Sequence, residues 1–371
     1  MKMGAVEFVD TVVNRARTLG ASDIHIDPFS KATHVRFRID GLLRTITTIP
    51  PPLHSEVIAR VKILAGLRTD IHQTSQDGRF RYVQGDCDIR VSTLPTQYGE
   101  NVVMRILTKR SFGNSGNILA ELGVSVVDIK NIETALKRRR GLIVVTGPTG
   151  SGKTTTLYAL LTMLNSGTVS IVTLEDPIEY AIEGVRQVQV NHKYGMSFVT
   201  GLRAILRQDP DIIMIGEIRD SETAKIAVHS ALTGHLVIST LHTENACAAI
   251  PRLMDMGIDP YLISATLSLV VGQKLLRLIC RECRVARDEA DSLDGTRLPA
   301  CKNCSMTGYK GRIGIYESLL VDEHARKAIL DRVALDNVIS LRTMNIDAIE
   351  KIAQGLTSRE ELTRVLYEQQ L

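Results

Sequence analysis

Apolar and polar positions along the chain change their period once. Up to about residue 110 they alternate in short runs, as in THVRFRI and CDIRVSTL, after one helical stretch, VEFVDTVVNRART. Period two marks strands with one buried face, so 1–110 reads as a small α+β domain. TKRSFGNSGNILAELG follows, rich in Gly, Ser and Asn, and predicts a linker over 111–124. Beyond it, continuous apolar runs (GLIVVTG, VSIVTLED, DIIMIGE, HLVISTLH) alternate with amphipathic ones (TTLYALLTML, GLRAILRQ, ETAKIAVHSAL). Strands buried on both faces and separated by helices predict an α/β core over 125–273, a mainly parallel sheet covered by helices on both sides. A cysteine-bearing stretch within 274–312 has few apolar positions and cannot fold on its own core. IGIYESLLV and two charged amphipathic segments then predict a mostly helical region over 313–371.

Bulk composition adds little. The 371 residues allow two or three domains. A net charge of +4, from 45 basic and 41 acidic residues, is too even to argue for a nucleic-acid coat. MKMGAVEFVDTVV carries Glu7 and Asp10 where a secretory signal keeps an apolar run, which predicts a cytoplasmic chain. YLISATLSLVVG contains Ser264, Thr266 and Ser268 and falls far short of the ~20 residues that span a bilayer.

Chemistry first becomes visible at GPTGSGKT, Gly147 to Thr154, which fits G-x-x-x-x-G-K-[ST] between an apolar strand and a helical run. Such a loop wraps phosphates with backbone N–H groups; the nucleotide-binding residues here are Gly147, Pro148, Thr149, Gly150, Ser151, Gly152, Lys153, Thr154 and Thr155, all but Pro148 offering an N–H. Lys153 would reach the outer phosphates, and Thr154 would offer its hydroxyl to Mg²⁺. Hydrolysis also needs a carboxylate for water and one near the metal. TLEDPIEY offers Glu175, Asp176 and Glu179; IGEIRD offers Glu217, after a Gly216 that stands where P-loop enzymes usually carry an aspartate. Both acids fall at carboxyl ends of strands, where ligands gather in open α/β sheets. Asp220 and Glu222 read as solvated acids. TGHLVISTLHT adds His235 and His242, one on each side of a strand.

CREC at 280–283 and CKNC at 301–304 are separated by 17 residues, within the spacing of a four-thiolate zinc site. Cys280, Cys283, Cys301 and Cys304 would close a tetrahedral shell around structural Zn²⁺ with no position open for catalysis. Cys87 and Cys247 read as small core residues.

ASDIHIDP, RFRIDGLL, QDGRF, RVSTLPTQYGENVVMRIL, GPTGSGKTTTLYALL, LEDPIEY, LRQDPDIIMIGEIRDSETA and TGHLVISTLHT occur in unbroken order. Together they closely resemble the secretion ATPase superfamily over residues from about 5 to 320, nearest the type II secretion and type IV pilus assembly ATPases. The resemblance implies a RecA-like core behind a PAS-like first domain, with ATP, Mg²⁺ and Zn²⁺ as cofactors. It also implies a homohexamer peripheral to the cytoplasmic face of the inner membrane, held through a membrane platform protein and powering pseudopilus or pilus assembly. A glycine at position 216 is normal in that family. Residue by residue, the resemblance implies Glu175 as the water-activating carboxylate, Glu217 as the metal-side acid, and His235 and His242 as members of a histidine box. It implies that Arg79 and Arg90 of the first domain approach the nucleotide, and that Arg203 and Arg207 form a further basic pair. The cysteine module belongs to the secretion and pilus-extension branches, although the gap between its pairs is shorter here than is common. Members of those branches carry a further N-terminal domain that docks to a membrane-associated partner; the resemblance here begins at their second domain.

Two other functions share parts of this pattern. A hexameric nucleic-acid translocase would use KRRR at 137–140 as a basic patch, but those residues close a helix, where the dipole favours cations. With no Trp and 4% aromatic residues there is little to stack bases on, so no nucleic-acid partner is expected. A nucleotide-binding scaffold that does not turn over would not need Lys153, Glu175 and Glu217 together.

Overall fold

The computed structural model describes residues 4–107, 117–288, 300–335 and 338–367, in two units, Met1–Ser111 and Phe112–Leu371. The first unit contains α1 (Ala5–Thr18), β1 (Ala21–Pro28), β2 (Thr33–Ile39), β3 (Leu42–Ile49), α2 (Pro51–Leu64), β4 (Gln76–Tyr82), β5 (Cys87–Thr96) and β6 (Gly99–Leu107). Its strands form one antiparallel sheet in the order β3-β2-β1-β6-β5-β4. Period two sets its two faces. Val35, Phe37 and Ile39 of β2 are buried and pack with Val12 and Val13 of α1 and Val57 and Val61 of α2, while His34, Arg36 and Arg38 take the opposite face.

The second unit opens with α3 (Ile118–Glu121), α4 (Val126–Lys137), β7 (Gly141–Thr146), α5 (Lys153–Leu164), β8 (Ile171–Glu175), β9 (Arg186–Gln189) and α6 (Phe198–Ile205). It continues with β10 (Ile212–Ile215), α7 (Ser221–Leu232), β11 (Leu236–Leu241), α8 (Ala249–Asp255), α9 (Pro260–Thr266) and β12 (Leu267–Ile279). The chain then runs through α10 (Arg281–Asp288), β13 (Tyr309–Leu320), α11 (Glu323–Leu330), α12 (Met344–Ala353) and α13 (Arg359–Leu366). The sheet order is β13-β12-β7-β11-β10-β8-β9, parallel throughout except for the β12–β13 pair.

Every residue of β7 is buried, because the sheet is covered twice. Leu142 and Val144 pack with Leu202 of α6, Val228 of α7 and Ile263 of α9; Ile143 and Val145 pack with Ile132 of α4 and Leu157 of α5. The expected α/β core with helices on both faces is what forms. Because β7, β11, β10 and β8 run parallel side by side, Gly147, His242, Gly216 and Asp176 leave the sheet at one edge.

Of the expected linker, 111–116 lies outside the described residues, whereas Ile118–Glu121 is a turn of helix with Leu119 buried. The boundaries expected at 273 and 312 fall inside β12 and β13, since these strands form one long antiparallel hairpin on the core sheet. Within the cysteine module, 289–299 lies outside the described residues, as does 368–371 of the expected helical tail. α12 and α13 cover the hairpin, packing Met344, Ala348, Leu362 and Val365 against Leu276 and Ile315. No helix among the described residues is long and apolar enough to cross a membrane.

Candidate nucleotide site and tetracysteine cluster

β7 ends at Thr146, whose hydroxyl donates to the Thr243 carbonyl at 2.9 Å and accepts from the Thr243 N–H at 3.0 Å. From there the chain turns through 147–152 into α5. Gly147 has φ +150° and Gly152 has φ +88°; a Cβ on Gly147 would come within 2.2 Å of the Gln273 carbonyl oxygen. Only glycine fits there. Pro148, Thr149, Gly150 and Thr154 are exposed, while Ser151 is buried. The Ser151 hydroxyl has no hydrogen-bond partner among the described residues, an orphan that a phosphate oxygen would satisfy. The unpaired N–H groups at the start of α5 favour an anion in the same place.

Lys153 is buried, and its Nζ donates to the carbonyls of Gly147 at 2.7 Å and Pro148 at 3.0 Å. Burial pulls its pKa down to about 8, with the charge of Glu217 partly opposing that. A cation desolvated in this way is stabilised by an incoming anion.

Glu217, just beyond β10, accepts from Arg219 Nη2 at 2.6 Å, and its other oxygen lies 3.3 Å from His242 Nε2. Lys153, Glu217, Arg219 and His242 thus share the carboxyl edge of the sheet. Arg219 was not among the residues singled out by sequence; the signal was its place two residues after the acid in GEIRD. The neighbouring acids are structural: Asp220 caps α7 by accepting the Thr223 N–H at 2.8 Å, and Glu222 pairs with Arg203.

The two histidines part company. His242 follows β11 and His235 precedes it, so a strand of roughly 20 Å separates them. His235 Nδ1 lies 3.0 Å from the Ser230 carbonyl, and the ring lines a cavity of about 530 Å³ with Glu133, Lys137 and Asp211. As residues flanking a strand, the two emerge at opposite edges of the sheet, His242 beside the phosphate loop and His235 at the other end of β11.

Glu175 closes β8 and is 3% exposed. Its carboxylate accepts from the Tyr158 hydroxyl, from the Thr173 hydroxyl at 2.5 Å and from the Gln187 amide at 3.1 Å. Burial and the adjoining carboxylate push the Tyr158 phenol pKa well up, so it stays a donor. Glu175 is thereby enclosed beneath α5, whereas the next residue, Asp176, is exposed.

In the first unit, register places Arg79 opposite Arg90, Arg90 opposite Arg105, and Arg105 opposite Asp23, one line across four strands. Arg105 Nε donates to Asp23 at 2.8 Å. Like charges on facing positions repel, and an anion laid across them relieves the cost. Arg105 escaped the sequence reading because only register aligns it with the other two. In the second unit Arg203 of α6 pairs with Glu222 at 2.9 Å, and Arg207, just past the end of α6, donates to the Arg203 carbonyl at 2.9 Å; both are exposed and engaged.

Cys280 and Cys283 follow β12, and Cys301 and Cys304 precede β13. Their four sulfurs lie within 4.8 Å of one another, with Cys280–Cys301 at 3.8 Å and Cys283–Cys304 and Cys301–Cys304 at 3.7 Å. Zn–S bonds of ~2.3 Å in a tetrahedron imply S–S edges of about 3.8 Å, against ~2.05 Å in a disulfide. Burial opposes ionisation of Cys304, but N–H groups of Cys301, Thr307 and Gly308 outweigh it and bring its pKa down to about 6. The donor set fits structural zinc. Cys87 and Cys247 are buried elsewhere.

A family model described as Type II/IV secretion system protein matches residues 3–364. Type II secretion system protein E of Dickeya dadantii (strain 3937) is 44% identical over 384 residues, covering 98% of this chain and 76% of that relative. Type II secretion system ATPase E of Vibrio cholerae serotype O1 is 44% identical over 382 residues, covering 98% and 75%. Among solved structures, the pilus retraction motor PilT with bound ADP has a TM-score of 0.67 at 27% identity, covering 94% of each chain. The Legionella pneumophila ATPase DotB has a TM-score of 0.72 at 22% identity, covering 95% of this chain and 94% of that one, a likeness of fold. With nearly its whole length matched and the phosphate loop, GEIRD turn and cysteine pairs in place, the chain belongs to the type II/IV secretion system protein family.

Proposed function

We propose that this chain is the ATP-hydrolysing motor of a secretion or pilus machine, working as a Mg-ATP-dependent homohexamer on the cytoplasmic face of the inner membrane. The observation that carries it is the phosphate loop with Lys153 beside the Glu217–His242 pair, within a chain 44% identical to a protein named as a secretion ATPase. The N–H groups of 147 and 149–155, with the Lys153 ammonium, bind and orient the triphosphate. The exposed Thr154 hydroxyl and the Glu217 carboxylate fit Mg²⁺, which when bound neutralises charge on the phosphate oxygens.

Water attacks the γ-phosphorus as the bond to the bridging oxygen breaks, and ADP leaves. Glu175 takes the proton from that water once its carboxylate is released from Tyr158. Arg79 and Arg90 answer charge spread over the phosphate oxygens, which their planar forks suit. Arg203 and Arg207 provide a further basic pair, and His235 acts at a distance from the phosphate loop of its own chain. Zn²⁺ on Cys280, Cys283, Cys301 and Cys304 serves the fold. The partner is a membrane platform protein, and no nucleic acid takes part.

Phosphate release by the purified chain tests this directly. We expect Mg-dependent turnover of ATP, lost in Lys153→Ala and unchanged by added DNA or RNA. Turnover that survives in Lys153→Ala, or that requires nucleic acid, would overturn the reading.

A further inference from the structure

We propose that Gln273 is a positioning residue for the phosphate loop: it sets the direction of the Gly152 N–H. This rests on the nucleotide-binding reading and goes beyond it, since Gln273 lies outside the loop motif, on β12. The side chain belongs to a residue 2% exposed. Its Nε2 donates to the Ser151 carbonyl at 2.8 Å, and its Oε1 accepts from the Thr156 hydroxyl at 2.7 Å. The Ser151 carbonyl can only accept, which fixes the NH₂ toward it and leaves Oε1 to accept from the Thr156 hydroxyl.

The consequence follows from peptide geometry. The Ser151 carbonyl and the Gly152 N–H belong to one planar trans peptide and point in opposite directions. Holding that carbonyl against β12 turns the N–H away from β12, toward the side open to a phosphate. The contact is close on every side: a Cβ on Gly152 would sit 2.9 Å from Gln273 Nε2, and one on Gly147 would sit 2.2 Å from the Gln273 carbonyl oxygen. Both glycines therefore keep the loop seated on this one residue. Without the clamp, the Ser151–Gly152 peptide is free to rotate, and the donor must be re-aimed each time nucleotide binds.

The test uses the full chain and ADP as probe. Gln273→Met keeps the volume and removes both hydrogen-bonding groups; Gln273→Glu keeps an acceptor for Thr156 and sets an oxygen against the Ser151 carbonyl. Losing one aligned, charge-assisted N–H contact should raise the ADP dissociation constant about tenfold to a hundredfold in both variants. The nucleotide-free melting temperature should fall as well, since the Ser151 carbonyl loses a buried donor, so the affinity of the folded chain is the deciding readout. Thr156→Val, which removes the Oε1 contact but spares the Ser151 bond, should show a smaller loss of affinity. A glutamine that merely packs would lower the melting temperature while sparing the affinity of the folded chain. ADP affinity within twofold of wild type in folded Gln273→Met overturns the proposal; should that variant fail to fold, the same result in Gln273→Glu does so. Wild-type chain that does not bind ADP would instead overturn the nucleotide reading itself.

Discussion

His242 Nε2 lies 3.3 Å from Glu217 Oε2, joining the carboxyl ends of β11 and β10 beside the phosphate loop. The contact orients the carboxylate that faces Lys153, and the histidine is itself half-exposed, within reach of a ligand. His242→Ala should lower kcat by about tenfold to a thousandfold while changing the ADP dissociation constant little, as expected when a group acts mainly in the transition state. His235→Ala, at the other end of the same strand, should leave ADP affinity within twofold of wild type. Steady-state kinetics and calorimetry on both variants check the contrast; equal loss of binding in the two would contradict the placement.

Glu175→Gln keeps the shape of a carboxylate enclosed by Tyr158, Thr173 and Gln187. As the proposed water-activating group it should leave ATP binding largely intact and abolish turnover. Single-turnover phosphate release, beside a nucleotide titration, separates the two effects. Turnover within tenfold of wild type would reduce Glu175 to a structural acid.

Metal analysis should find one zinc per chain. Cys283→Ser opens one corner of the thiolate tetrahedron and should lower zinc content and melting temperature more than it changes nucleotide affinity. Zinc-free wild-type protein of full stability would refute the assignment.

Glu361 is fully buried on α13 and bonded to Arg277 of β12 and to Arg364. Burial alone would raise its pKa, but the two guanidiniums and the Arg277 N–H outweigh that and hold it down to about 2. A carboxylate pKa depressed on folding gives stability that is present above pH ~4.5 and is lost as pH falls toward 2. The span is worth about 3 kcal/mol. Denaturant titrations from pH 7 to 2 should show this loss in wild type. Glu361→Gln should be less stable at pH 7 and show a flatter acid limb.

Much of this was legible in the sequence for a physical reason. The phosphate loop, GEIRD and the cysteine pairs are contiguous, so spacing alone carries their chemistry, and β7 and β10 announce burial on both faces by unbroken apolar runs. Long-range register is different. Nothing local says that Gln273 meets Ser151 from 122 residues away, that Arg105 joins the Arg79–Arg90 line, or that His235 leaves the sheet at the far edge. Glu175 reads as a strand-end acid; its enclosure depends on where α5 lays Tyr158. The boundaries at 273 and 312 went astray because cysteine spacing suggested a separate module, whereas QKLLRLI continues the strand that leads into it.

The cysteine cluster sits where β12 and β13 leave the sheet, at the turn end of their hairpin. A metal held there would tie the last residue of one strand to the approach of the next. Stripping it would therefore fray the hairpin from that end, loosening Ile279 and Tyr309 first and reaching Gln273, deeper in the sheet, last.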